Sequence, residues 1–210
     1  MSTLAYSQDS LWQKTSIDEN LTISLPPGIN QIDTSYIQNG KKIKFKMFVA
    51  QAEYSAIGVV VSNEFNANID NKETLEKVLS EISKGAVKKM KEGGVECFSS
   101  DTLLSKIPCK KMKCRGEVKG IYMNILHYTM VVNDIAYTMQ AAFVPEYTVG
   151  GHEEMDRLLK SVSIDPNSVK ELQFESKAYS VGYKAGYILV GLMVLAVVVI
   201  GVIFLIRKLQ

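Results

Sequence analysis

Residues 120–144 read GIYMNILHYTMVV-ND-IAYTMQAAFV, two apolar runs hinged on Asn133-Asp134. Asn and Asp tolerate the positive φ angles of a tight hairpin, so the two runs read as antiparallel neighbours. In the second run Ile135, Tyr137, Met139, Ala141 and Phe143 fall on alternate positions. That period of two marks one apolar face of a strand. Just upstream, IPCKKMKCRGEV (107–118) runs into a turn at Lys119-Gly120, and VECFSSDTLL (95–104) precedes it. Together these stretches predict an antiparallel meander.

Working outward, the segment before the meander predicts a helix. Asp70 with Glu73 three positions on has the form of a capping box. Leu75, Val78, Leu79, Ile82, Ala86 and Met90 then keep a helical period on one side, and Gly93-Gly94 stops it. Earlier still, LTISL (21–25) ends at Pro26-Pro27-Gly28 and reads as a short strand. KKIKFKMFVA (41–50) alternates Lys42, Lys44 and Lys46 with Ile43, Phe45 and Met47, which gives one wet and one buried face. AIGVVVSNEF (56–65) follows as a more continuously apolar strand, and a turn at 51–55 would allow the two to pair. After the meander a second helix, from about Gly151 to Lys160, turns Met155, Leu158 and Leu159 inward, and SVSI (161–164) closes as a short strand. Hairpin-joined strands with two separated helices define an α+β class: an antiparallel β-sheet flanked by helices.

Domain boundaries follow from composition. Residues 1–17 are a polar, flexible arm, 18–164 the globular domain and 165–184 a linker of mixed charge. Residues 185–206 carry no charged side chain, and 207–210 form a short tail. Twenty-two residues rise roughly 33 Å as a helix, enough for a hydrocarbon core of about 30 Å. The expectation is a single C-terminal transmembrane helix, with Tyr183 and Tyr187 at headgroup level. The first thirty residues have no basic stretch followed by an apolar one, so the expected arrangement is a tail anchor with the domain in the cytosol. The small residues Gly186, Gly191, Ala196 and Gly201 recur every five positions and do not line one helix face.

Residues 1–164 hold 19 Lys/Arg and 19 Asp/Glu. A neutral domain has no long-range field to hold a polyanion, which excludes nucleic acid as the expected partner. Cys97, Cys109 and Cys114 are an odd, sparse set, which fits ordinary thiols in a reducing compartment rather than a disulfide framework. Five positions apart on one strand, Cys109 and Cys114 point to opposite faces and cannot share a metal or a disulfide bond. The sequon at Asn20 would matter only in a lumenal domain.

The order of elements, with ISLPPG (23–28), the run IPCKKMKC, GIYMNILHY and NDIAYTMQAAF, and the closing LLKSVSI (158–164), resembles the Mog1/PsbP-like family over residues 17–164. That family includes an oxygen-evolving-complex subunit of plants, a Ran-binding protein and bacterial lipoproteins. The resemblance implies the fold and, since most members bind other proteins, a binding role. It carries over no site residue.

No motif for a nucleophile, a phosphate cradle or a zinc hydrolase occurs. His127 reads as a packed strand histidine, and His152-Glu153-Glu154 as helix N-terminal chemistry. No catalytic residue, cofactor or metal ligand is therefore assigned. The densest basic run is Lys106, Lys110, Lys111, Lys113, Arg115 and Lys119. It is either a solvated strand face that guards a sheet edge or a contact for anionic lipid headgroups. The expected function is a membrane-anchored, non-enzymatic module that presents its domain to a protein partner. The alternative is an enzyme, or an accessory to one, with its site on the sheet face or in a groove.

Overall fold

The computed structural model describes residues 12–38, 41–63, 69 and 72–165. The capping residue Asp70, most of the linker and the apolar segment 185–206 lie outside them. Among the described residues ten strands and two α-helices follow in the order β1 (Gln13–Ser16), β2 (Leu21–Leu25), β3 (Asn30–Gln38), β4 (Lys41–Gln51), β5 (Ala56–Asn63), α1 (Lys72–Glu92), β6 (Val95–Leu104), β7 (Ile107–Val118), β8 (Ile121–Val132), β9 (Ile135–Phe143), α2 (Thr148–Lys160) and β10 (Ser163–Ile164). The 3-10 turn Pro145–Tyr147 leads into α2.

Seven strands form one antiparallel sheet in the order β3-β4-β5-β9-β8-β7-β6. Helix α1 is the long crossover that produces this order. It carries the chain from β5 to the far edge, and the meander β6 to β9 then returns until β9 pairs with β5. Three two-residue turns set the meander's register. Ser105-Lys106, Lys119-Gly120 and Asn133-Asp134 all take positive φ at both positions, the twist that tight hairpins need. Leu104 therefore faces Ile107, Val118 faces Ile121, and Val132 faces Ile135.

Each face of the sheet has its own cover. On one side α1 lays down Leu75, Val78, Leu79, Ile82, Ala86 and Met90, all 3% exposed or less. They meet Val131 and Ala136 at one end of the helix and Met112, Cys114 and Ile125 at the other. The helix stops where Gly94 takes a φ of 78°, and Lys89 and Lys91 sit in the last turn, where they complement the helix dipole. On the opposite side a small sheet, β1-β2-β10, and helix α2 cover Tyr137, Met139, Ala141 and Phe143. Gly150 and Gly151 lie inside the first turns of α2 rather than before it. A Cβ on Gly151 would fall within the Phe143 ring, and one on Gly150 against the Tyr54 ring. These glycines let the helix approach the sheet.

Two strands depart from the sequence reading. Residues 13–16, the end of the expected arm, pair with β2 as β1. Strand β3 was not expected: NQIDTSYIQ has no apolar alternation, and pairing with β4 along nine residues makes it a strand.

A hydrogen-bond network ties the two layers together. The Tyr137 hydroxyl donates to Asp18 Oδ2 at 2.6 Å and accepts from Asn20 Nδ2 at 3.3 Å. Asn133 Nδ2 donates to Asn20 Oδ1 at 3.0 Å. Burial, followed by the Asp18 carboxylate, pushes the Tyr137 phenol well above its ordinary value. Asn20 is 4% exposed with both side-chain polar atoms engaged, so a glycan has no access to it in the folded domain.

Candidate interaction surface at the β6 edge

Strand alternation distributes the six basic residues. Lys111, Lys113 and Arg115 occupy odd positions of β7 and share the face away from α1, where Lys111 Nζ lies 5.2 Å from the centre of the Tyr128 ring. Lys110 turns to the α1 side and pairs with Asp101 across the strand. Lys106 and Lys119 sit in the turns at opposite ends of the 12-residue strand. So three of the six share a face and the other three do not join them.

Beside these three basic residues the sheet exposes aromatic surface. Phe98 on β6 faces Lys113 and is 68% exposed; Tyr122 on β8 faces Glu117 and is 52% exposed. On the α1 side of the same strand Leu103 is also 68% exposed. The sequence run VECFSSDTLL gave no sign of this exposure. A lone Phe among Ser and Thr reads as core until the strand is known to be terminal.

The α1 side of the edge holds a groove of about 410 Å³. Lys84, Lys88 and Lys91, at helical spacing, line it from α1, and Lys110 lines it from β7. The hydroxyls of Ser83 and Ser99 meet at 2.6 Å between helix and strand. Lys84 also holds Glu81 at 2.7 Å. The sequence shows the lysine spacing on the helix, but only the topology brings it beside β6.

The cysteines correct the sequence reading. Cys97 lies directly opposite Cys114 in the β6–β7 register, with 4.1 Å between Cα atoms, and the two form a disulfide bond. The expectation of three ordinary thiols considered spacing along one strand, whereas the bond spans two. Cys109 is free and buried in the α2-side core, away from Cys114 on the α1 side. Burial pushes its thiol up to about 12. Among the described residues no group of three or more His, Cys, Asp or Glu could hold a metal ion.

His127 is fully buried between Met112 and Gln140 on the α1 side, and neither ring nitrogen has a hydrogen-bond partner. Burial alone lowers it to about 4, so it stands neutral at pH 7. At 0% exposure its ring has no contact with solvent. His152 packs its ring 5.6 Å from that of Phe143.

A second concavity of about 840 Å³ runs along α2, lined by Trp12, Tyr54, Glu153, Glu154, Arg157 and Lys160 among others. Its buried acid is already engaged. Glu154 Oε1 accepts the backbone N–H groups of Glu53 and Tyr54 at 2.8 and 3.0 Å, and Oε2 accepts the Ser55 hydroxyl at 2.6 Å. Burial raises the Glu154 carboxyl above its usual value, and these hydrogen bonds oppose the rise. Glu154 therefore fastens α2 to the β4–β5 turn. The Arg157 guanidinium lies 4.9 Å over the Trp12 ring, and both residues line the concavity.

No protein-family model matches the chain, and no curated protein sequence matches it. Among solved structures, the cyanobacterial PsbP (CyanoP) of Synechocystis sp. PCC 6803 superposes with a TM-score of 0.52 over 74% of this chain and 93% of its own, at 10% identity. A Pseudomonas aeruginosa protein of unknown function, PA94, aligns with a TM-score of 0.42 over 64% and 98% of the two chains, at 9% identity. The described domain is an antiparallel sheet with helices in the PsbP-like fold. At that identity the likeness is one of fold, and folds host unrelated functions.

Proposed function

We propose that this protein is a membrane-anchored binding module. The uncharged segment 185–206 spans the bilayer, and the PsbP-like domain stands on the cytosolic side and presents its β6 edge to a protein partner. The observation that carries the binding role is the outer edge of the sheet, where Phe98 and Leu103 are each 68% exposed beside a basic strand. On the face away from α1, the exposed Phe98 ring shares the surface with Arg115, and aromatic rings and arginines are residue types enriched at interfaces. An enzymatic reading draws on the α2 concavity, but the acid it would use there, Glu154, has both oxygens committed to the β4–β5 turn. On the cytosolic side thiols are kept reduced, so the Cys97–Cys114 bond is the feature of the domain whose state depends on this topology.

Proximity labelling from the full-length anchored protein tests the binding role. The set of labelled proteins should lose its most enriched members when Phe98 and Leu103 are both replaced by Ser. An unchanged set from that variant would contradict it.

A further inference from the structure

We propose that the Cys97–Cys114 pair is a redox clasp. Bonded, it closes strand β6 onto the sheet; reduced, it lets that strand open locally while the rest of the domain stays folded. Its consequence for a partner rests on the binding role proposed above, because β6 carries Phe98 and Leu103.

Strand β6 is weakly anchored. Among the described residues it pairs with β7 alone. Only Val95 and Leu104, at its two ends, are buried, and every side chain between them is exposed or half-buried. Central strand β8, in contrast, is buried along almost its whole length. The noncovalent side-chain ties of β6 are the Ser83–Ser99 hydroxyl pair at 2.6 Å, Glu96 with Arg115 at 3.3 Å, and Asp101 with Lys110. Glu96 and Asp101 are both exposed to water, where ion pairs contribute little. Segments with few buried side chains open locally at a lower free energy than the core. The bond from Cys97 to Cys114 joins β6 to β7 between the two buried ends, so it is the strongest single tie the strand has.

The two sulfurs differ in access. Cys97 is half-buried, whereas Cys114 is 4% exposed, among Met90, Met112 and Ile125 beneath the end of α1. Exchange with a glutathione-class thiol therefore begins at Cys97. The incoming thiolate attacks Cys97 Sγ, the S–S bond breaks, and Cys114 leaves and takes up a proton. A second thiolate attacks the outer sulfur of that mixed disulfide, which releases the small thiol as its own disulfide and leaves Cys97 to take up a proton. Two electrons have passed from two thiols to the bond. Closure uses a hydroperoxide. The Cys97 thiolate takes its outer oxygen to become a sulfenic acid, and the departing alkoxide takes up a proton. The Cys114 thiol then condenses with the sulfenic acid, losing water and re-forming the bond. Cys109 is buried in the core on the opposite face, so no third thiol competes on this one. A cytosolic domain rests reduced, with β6 free to open. Oxidation fixes the strand, and with it Phe98 and Leu103, which lowers the ordering cost of binding a partner.

Hydrogen exchange read by mass spectrometry tests the clasp, on full-length protein in detergent, air-oxidised or in excess reduced glutathione. Peptides covering 95–104 should exchange about tenfold faster when reduced, while peptides from β8 and β9 keep their protection. Equal protection of 95–104 in the two states would overturn the proposal. So would an equal loss across β8 and β9, because the bond would then stabilise the whole domain. Oxidised glutathione should leave an adduct on Cys97 in the Cys114→Ser variant and none on Cys114 in the Cys97→Ser variant. A faster adduct on Cys114 would overturn the order of attack. In cells, a hydroperoxide pulse should enrich the labelled neighbours of the wild type and not those of Cys97→Ser. A wild-type set that the pulse leaves unchanged, while the Phe98/Leu103 variant loses its neighbours, would overturn the link to binding. If that variant keeps them, the binding role falls, and the exchange contrast still decides the clasp.

Discussion

Acidification should destabilise the domain through His127, and the size of the effect follows from its burial. The imidazole is fully enclosed, its nitrogens have no hydrogen-bond partner, and desolvation holds it at about 4, against an ordinary 6.5. Between those values the unfolded chain binds a proton that the folded domain refuses. Stability therefore rises with pH through that window, and is lost as pH falls through it. From pH 7 to about pH 4.5 the loss attributable to this one group is about 2.5 kcal/mol, or about 5–10 °C in Tm for a domain of this size. Carboxylates also titrate in this range, so the measurement is a difference. Urea unfolding of the full chain in detergent would be followed at both pH values for the wild type and for His127→Leu. At pH 7 the variant should match or exceed the wild type, since it removes two unsatisfied buried nitrogens. At the lower pH the wild type should fall about 2.5 kcal/mol further than the variant. Parallel losses in the two proteins would refute the claim that this histidine is held neutral by burial.

Further outcomes follow from single contacts. Tyr137→Phe should cost about 2 kcal/mol at neutral pH, because Asp18 and the buried Asn20 lose a partner, as read by chemical denaturation. The same change should remove a loss of stability that the wild type shows above about pH 10, where the unfolded phenol ionises and the folded one does not. Gly116→Ala should cost about 1–3 kcal/mol, since its Cβ would stand 2.9 Å from the Val95 Cα, a backbone atom that cannot yield. Gly58→Ala, with nothing within 4 Å of the new atom, should leave Tm unchanged. Isolated in air without reductant, the protein should take up no alkylating reagent on Cys97 or Cys114, and reduction, the state a cytosolic domain holds in the cell, should add both while buried Cys109 stays slow; mass spectrometry that finds both modified in the air-oxidised protein would contradict the bond.

The sequence made the meander legible because period-two alternation and two-residue turns are local signals. Residues 95–143 could be placed from them, and helix α1 from the helical period of its apolar residues. Strand β3 was hidden because its polar residues become a strand only by pairing with β4, a partner that local pattern does not reveal. The Cys97–Cys114 pair was hidden for a related reason. Both strands were recognised, but the contact depends on their register, which is fixed by the positive φ angles of Ser105 and Lys106. The basic run was visible as composition. Its division between two faces and two turns, and its convergence with the α1 lysines along β6, are products of topology. Phe98 carried no signal, since exposure of a strand residue depends on which strand ends the sheet.

Extraction of native membranes with alkaline carbonate tests the central claim most directly, that residues 185–206 hold this domain at a bilayer. The account predicts that the full-length protein stays in the pellet and is released only by detergent, while a chain ending at residue 184 is recovered in the supernatant. Full-length protein in the alkaline supernatant would contradict it.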